Sequence, residues 1–173
     1  DVPPFIVMDV MQAAGALEEA GESVLHLEVG QPSTPAPRGV LEAARRTLDE
    51  DRIGYTLAAG IDPLRERIAR HYKDWYNVSL DPAQVMVTTG SSGAFQIAFL
   101  AAFEAGDRVA MASPGYPAYR NILSALGVEP VLLETGPEHR YQPTPELLDA
   151  VEGELDGLIV ASPSNPSGTM LGE

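Results

Sequence analysis

The sequence predicts an α/β fold built on a mostly parallel sheet covered on both faces, and three observations lead there. From residue 83 onward, short β-branched runs alternate with stretches of helical periodicity, the pattern of strands joined by crossover helices. The run GLIVAS (157–162) is continuously apolar, as a buried strand is. Finally, 173 residues with 45% hydrophobic content are enough for one sizeable core, or for one domain and a fragment of another.

The elements follow in order. Residues 6–20, IVMDVMQAAGALEEA, place apolar side chains at helical spacing and stop at Gly21, a helix-ending residue. SVLHLEVG (23–30) alternates and reads as a strand, followed by the loop QPSTPAP. Residues 38–50 and 61–76 are amphipathic helices, joined by RIGYTLAAG. QVMVTT (84–89) reads as a short strand, and SSGAFQIAFLAAFEA (91–105) as a helix apolar nearly all round, hence expected to be buried. RVAMAS (108–113), VEPVLLE (128–134) and GLIVAS are strands; PAYRNILSAL (117–126) and PELLDAVE (145–152) are the helices between them.

Charge and composition exclude several function classes. Twenty-five acidic against eleven basic residues give a net charge of −14, which repels nucleic acid phosphates and anionic membranes. There is no cysteine, so disulfides and thiolate metal sites are excluded. His26, His71 and His139 match no metal spacing; His26 is expected to face a sheet neighbour and the other two to lie at the surface. Glu18-Glu19 and Asp49-Glu50-Asp51 read as solvated helix ends, and Trp75 with Tyr76 as the residues packing a helix onto the sheet. The start, DVPPFIVMDV, has neither a basic signal region nor an initiator Met, and reads as trimmed.

In open parallel sheets, ligands collect beyond the carboxyl ends of the strands. Three loops there are unusual. In TTGSSGAF (88–95) a strand stops at Gly90 and a helix opens on Ser91 and Ser92. Free amides, two hydroxyls and the helix dipole would converge there on an anion; an ordinary serine N-cap is the alternative. Neither a Walker A loop nor a G-x-G-x-x-G fingerprint is present to explain a phosphate cradle. In ASPGYPAY (112–119), Tyr116 is held between Gly115 and Pro117, either to stack on a flat ligand or to lid its own turn. In ASPSNPSGT (161–169), each proline restricts the residue before it, so Asn165 carries an amide of defined direction; Asn-Pro is also a common turn starter. An anion cradle, an aromatic face and a directed amide together suit a flat, phosphorylated heterocycle.

GSSGAF, SPGYPAY and SPSNPSGT, in this order, resemble the class I and II aminotransferases of fold type I, which use pyridoxal 5′-phosphate (PLP). YTLAAGIDPLRERIA (55–69) and VGQPSTPAP (29–37) resemble that family too, so the likeness covers nearly all of the chain. The resemblance implies a three-layer α/β/α large domain, here truncated (38–173), preceded by an arm and a segment of the small domain (1–37). It implies that Gly90, Ser91 and Ser92 hold the PLP phosphate, that Tyr116 stacks on the pyridine ring, and that Tyr119 lies beneath it. Asn165 would bond the phenolic oxygen of the cofactor and line the substrate site. Tyr55 would reach the phosphate of the neighbouring subunit in a homodimer, and Gly30 would lie near the substrate carboxylate.

The same resemblance implies a Schiff-base lysine, an aspartate at the pyridine nitrogen and a substrate-binding arginine, all beyond the asparagine motif. The chain reaches only Glu173, eight residues after Asn165. Lys73 is the sole lysine and precedes the first cradle strand, so it reads as a surface charge. No catalytic residue is therefore expected within these 173 residues. The expectation is the N-terminal portion of a cytoplasmic enzyme of amino acid metabolism, passing an amino group from an amino acid to a 2-oxo acid. A PLP-dependent lyase or decarboxylase of the same fold, a non-catalytic truncated binding domain, and a different phosphate-binding α/β protein are the alternatives.

Overall fold

The computed structural model describes residues 5–50 and 53–172. Asp51 of the acidic run and Arg52 of the 52–60 connection lie outside the described residues, as do residues 1–4 at the start of the N-terminal arm. The chain divides into two compact units, Asp1–Ile6 with Thr89–Glu173, and Val7–Thr88.

The first unit is the α/β body. Helix α4 (Gly90–Ala102) leads to β1 (Arg108–Ser113), α5 (Pro117–Ala125), β2 (Glu129–Glu134), α6 (Pro145–Asp149) and β3 (Gly157–Ile159). The strands form one parallel sheet in the order β2-β1-β3, with Arg108 opposite Glu129 and Val109 opposite Gly157. Parallel pairing of consecutive strands requires a crossover between them, which α5 supplies for β1 and β2. The central strand β1 is the most buried, with Val109, Ala110 and Met111 all inaccessible or nearly so. Val109 and Met111 pack with Phe99 of α4, with Ala118, Ile122 and Leu123 of α5, and with Val128. At the start of β3 a Cβ on Gly157 would come within 2.6 Å of the Phe103 ring, so the ring occupies the space a side chain would take.

Local chemistry sets the ends of these elements. Pro117 occupies the first turn of α5, where its missing N–H leaves no bond unmade. Gly127, at φ +79°, reverses the chain after α5 in the left-handed region, and the Val128 amide returns to the Leu123 carbonyl at 3.0 Å. Arg108 ties β1 to the chain before β3: its guanidinium donates to the Glu152 and Glu154 carbonyls at 2.8 and 2.9 Å, and its amide to the Asp156 carboxylate at 2.8 Å.

The second unit holds α1 from Val7 (α1 spans Ile6–Glu19), α2 (Arg38–Glu50) and α3 (Asp62–Tyr76). Helix α3 starts with Pro63 in its first turn and ends at Asn77 in the left-handed conformation. Its Arg65 donates to the Val85 carbonyl at 2.9 Å.

Several sequence expectations are corrected. Residues 23–30 and 84–89 form no strand. A strand exists only with a partner, and neither segment gains a ladder among the described residues. Leu25 and Leu27 are 88% and 93% exposed, and the 84–89 segment takes part in isolated bonds and no ladder, the Val87 amide donating to the Ala59 carbonyl at 3.0 Å and Arg65 to the Val85 carbonyl at 2.9 Å. His26 therefore faces no sheet; its ring bridges Glu28 at 2.7 Å and Glu18 at 3.0 Å. Helix α4 is not buried all round: Phe99 is buried against α5, whereas Ile97 and Leu100 are exposed. Trp75 and Tyr76 pack on no sheet either; both are exposed and gather around His71, with the Trp75 ring 5.1 Å from it. Helix α6 and strand β3 are shorter than their sequence patterns, ending at Asp149 and Ile159.

Candidate functional site

All three unusual loops belong to the first unit, the glycine-serine loop from Thr89 onward. The glycine-serine loop opens α4, with Gly90 at φ +75°, a conformation glycine adopts without the steric cost of a Cβ. Thr89 precedes the helix and its side chain makes no capping bond. A thirteen-residue helix thus presents its first turn without a side-chain cap from Thr89. Ser92 lines a cleft of about 490 Å³ together with Phe5, Tyr116, Asn121 and Ile122. Ser91, one residue earlier, is exposed and does not line it.

The second loop leaves β1. Thr135 anchors its start, donating from both its amide (2.8 Å) and its hydroxyl (2.9 Å) to the Ser113 carbonyl. Beyond a cis Ser113-Pro114 bond, Gly115 passes so close to the Ala112 carbonyl that a Cβ would lie 2.5 Å from its oxygen. That close passage brings Tyr116 to the mouth of α5. The Tyr116 ring meets Tyr119 edge-on at 5.4 Å and Phe5 at 6.4 Å, and Tyr119 in turn meets Phe95 at 4.9 Å. Burial, and then the neighbouring Tyr116, pushes the Tyr119 phenol above the ordinary tyrosine range, so it stays neutral and available as a donor.

The third loop follows β3 and folds back on itself. The Ser164 amide donates to the Thr169 carbonyl at 2.9 Å, the Gly168 amide to the Ser164 carbonyl at 2.7 Å, and the Leu171 amide to the Ser162 hydroxyl at 3.1 Å. Asn165 stands exposed at the tip, its bond to Pro166 cis, and borders a small pocket with Tyr116, Tyr119, Gly115 and Gln142.

The structure therefore brings Tyr116, Tyr119 and Asn165 to one pocket, and Ser92 with Tyr116 to the adjoining cleft. Tyr55 and Gly30 belong to the other unit, where both are exposed. Lys73 is on α3 and donates to Asn77 Oδ1 at 2.9 Å. Sequence reasoning overlooked Thr135 and Gln142, the buried polar side chains that tie down two of the loops. A single Thr or Gln in a turn-rich stretch gives no local signal; only the tertiary structure reveals them. It also missed Phe5, whose place beside Tyr116 depends on a contact over more than a hundred residues.

Comparison with known proteins places these features in context. The family model for aminotransferase class I and II matches residues 22–173. A valine–pyruvate aminotransferase of Mycobacterium tuberculosis is 51% identical over 170 residues, covering 98% of this chain and 44% of the relative. A (5-formylfuran-3-yl)methyl phosphate transaminase of Methanocaldococcus jannaschii is 34% identical, covering 96% of this chain and 43% of the relative. Among solved structures, an aminotransferase from Mycobacterium tuberculosis superposes with a TM-score of 0.93 at 50% identity, over 98% of this chain and 44% of that one. The aspartate aminotransferase of Thermus thermophilus superposes at 0.87 with 32% identity, over 95% and 44%. The chain spans less than half the length of these relatives.

Proposed function

The chain belongs to the class I and II aminotransferase family, and from that premise we propose that it is the N-terminal portion of an enzyme that moves an amino group from an amino acid to a 2-oxo acid. The family is PLP-dependent. Bound PLP supplies the electron sink for such a transfer. The observation that carries the reading is the meeting of Tyr116, Tyr119 and Asn165 at one pocket beyond the carboxyl ends of β1 and β3, with Ser92 in the cleft that shares Tyr116. A hydroxyl in the first turn of a helix, two phenol rings and a carboxamide form a donor set that fits a phosphorylated aromatic ring.

Each residue has a role in this proposal. Gly90, Ser91 and Ser92 hold the phosphate through amides and hydroxyls at the start of α4. Tyr116 covers one face of the ring and excludes water from it, while Tyr119, half-buried and neutral, buttresses Tyr116 edge-on. Asn165 donates to the phenolic oxygen and so stabilises its deprotonated form. Tyr55, fully exposed here, serves the neighbouring subunit of a cytoplasmic homodimer, and Gly30 leaves room for the substrate carboxylate. Residues 1–37 act as arm and small-domain segment, and 38–173 as the early large domain. Lys73 is engaged with Asn77, so we assign the catalytic lysine to a part of the whole protein outside this chain.

The test is an assay of the whole protein with PLP, a panel of amino acids including valine, and pyruvate or 2-oxoglutarate. Keto-acid formation that requires both partners is expected. Decarboxylation or elimination in its place would overturn the reading in favour of another PLP reaction. The 173-residue chain alone should not exceed the background of free PLP.

A further inference from the structure

Two polar side chains are buried among the described residues, Thr135 and Gln142, at 8% and 4% exposure. Both lie between β2 and α6, and both donate to backbone carbonyls at strand ends, Thr135 to the last residue of β1 and Gln142 to Ala161 just beyond β3. Gln142 is the more committed. Its amide nitrogen donates to the Ala161 carbonyl at 3.1 Å and to the Thr169 carbonyl at 2.8 Å, with the Thr169 hydroxyl at 3.4 Å. Ala161 and Thr169 are the two ends of the loop that carries Asn165, so one carboxamide bolts both ends together. A buried amide donor left unmet is costly, which makes this geometry strongly preferred over a sprung loop. Gln142 also borders the same small pocket as Asn165, Tyr116 and Tyr119.

We propose that Gln142 is a positioning residue: by closing the base of the 161–169 loop it fixes where the Asn165 amide points. The part of this that concerns PLP rests on the function proposed above; the part that concerns the loop does not. Gln142→Met keeps the side chain's length and removes both donors. In the whole protein, hydrogen exchange at the Ser164 and Gly168 amides should accelerate roughly ten- to a hundredfold, with protection in β1 unchanged. In the whole protein loaded with PLP, the pH midpoint of the cofactor's absorbance change should rise by about one unit, as it should for Asn165→Ala. The double variant Gln142→Met/Asn165→Ala should add nothing to Asn165→Ala alone.

Unchanged loop exchange would overturn the proposal, and so would additive midpoint shifts. If the unaltered whole protein binds no PLP, the functional reading fails, while the loop exchange still decides the role of Gln142. Should Gln142→Met not fold, Gln142→Glu replaces it. Its carboxyl carries a donor proton only on the acid side of its titration, so loop protection should return on acidification; protection that ignores pH would sink the idea.

Discussion

Ser91 and Ser92 are the same residue type one position apart, yet only Ser92 faces the cleft beside Tyr116. A charge-assisted hydrogen bond from its hydroxyl to a phosphate contributes about 1.5–3 kcal/mol. In the whole protein, Ser92→Ala should therefore weaken PLP retention roughly ten- to a hundredfold, while pyridoxal, lacking the phosphate, responds far less. Equal losses for the two compounds would mean that the serine shapes the site without reading the phosphate. His26 is a second residue with a measurable signature. Hydrogen bonds donated to Glu28 and then Glu18 raise its pKa above the ordinary histidine value of 6.5, and His26 lowers that of Glu28 below the ordinary 4.5. A raised histidine pKa gives stabilisation that is complete below 6.5 and lost as pH rises through the folded value; a lowered glutamate pKa gives stabilisation lost as pH falls below its ordinary value. The tie between α1 and the segment carrying Gly30 is thus fullest in the interval between those two values. An NMR titration should place the His26 ring above 6.5, and Glu28→Gln should bring it down; a midpoint indifferent to that substitution would show the contact to be unimportant in solution.

At the scale of elements, α5 is the keystone of the first unit, because it closes the β1–β2 crossover and places Tyr116 at its own N-terminus. Leu123, fully buried on its inner face, packs within the cluster formed with Val109 and Phe99. Leu123→Ala should cost about 2–5 kcal/mol in unfolding free energy, read by urea denaturation. A loss under 1 kcal/mol, on the order expected of a site able to collapse, would mean that the helix repacks. What the sequence made legible follows the same division. The three loops could be read because Gly, Pro, Ser and Asn act over two or three residues: Gly90, Gly115 and the prolines flanking Asn165 state their conformational demands locally. Strands β1, β2 and β3 were legible because each has a neighbour in register within the chain. Segments 23–30 and 84–89 carry equally good strand patterns, but pairing is a property of two segments, and one segment's pattern does not reveal whether its partner is at hand. Thr135 and Gln142 escaped for a related reason, since the carbonyls they serve lie 19 to 27 residues away.

At the scale of the whole molecule, apolar surface stays open on the first unit. Ile97 and Leu100 of α4 and Leu158 and Val160 at β3 are all between 41% and 66% exposed, which is high for large aliphatic side chains. The 173-residue chain on its own should self-associate at micromolar concentration despite its charge of −14. Sedimentation showing a clean monomer, with cooperative unfolding, would argue that these faces need no cover. The order of the strands also sets a timetable. The strand in the middle of the sheet emerges from the ribosome first, its β2 neighbour next, and the neighbour on its other side last. At about 5–20 residues per second, the chain from Glu134 to Ile159 takes roughly one to five seconds to appear, long compared with helix and hairpin formation. Through that interval the β2 neighbour of β1 has been made and the β3 neighbour has not, nor have the Glu152 and Glu154 carbonyls to which the Arg108 guanidinium donates. Arg108, already within reach of the Glu129 carboxylate of β2 at 3.3 Å, gains from the late segment the Glu152 and Glu154 carbonyls and, at its amide, the Asp156 carboxylate, so one residue of β1 helps to seat a final strand that has only three residues of pairing of its own.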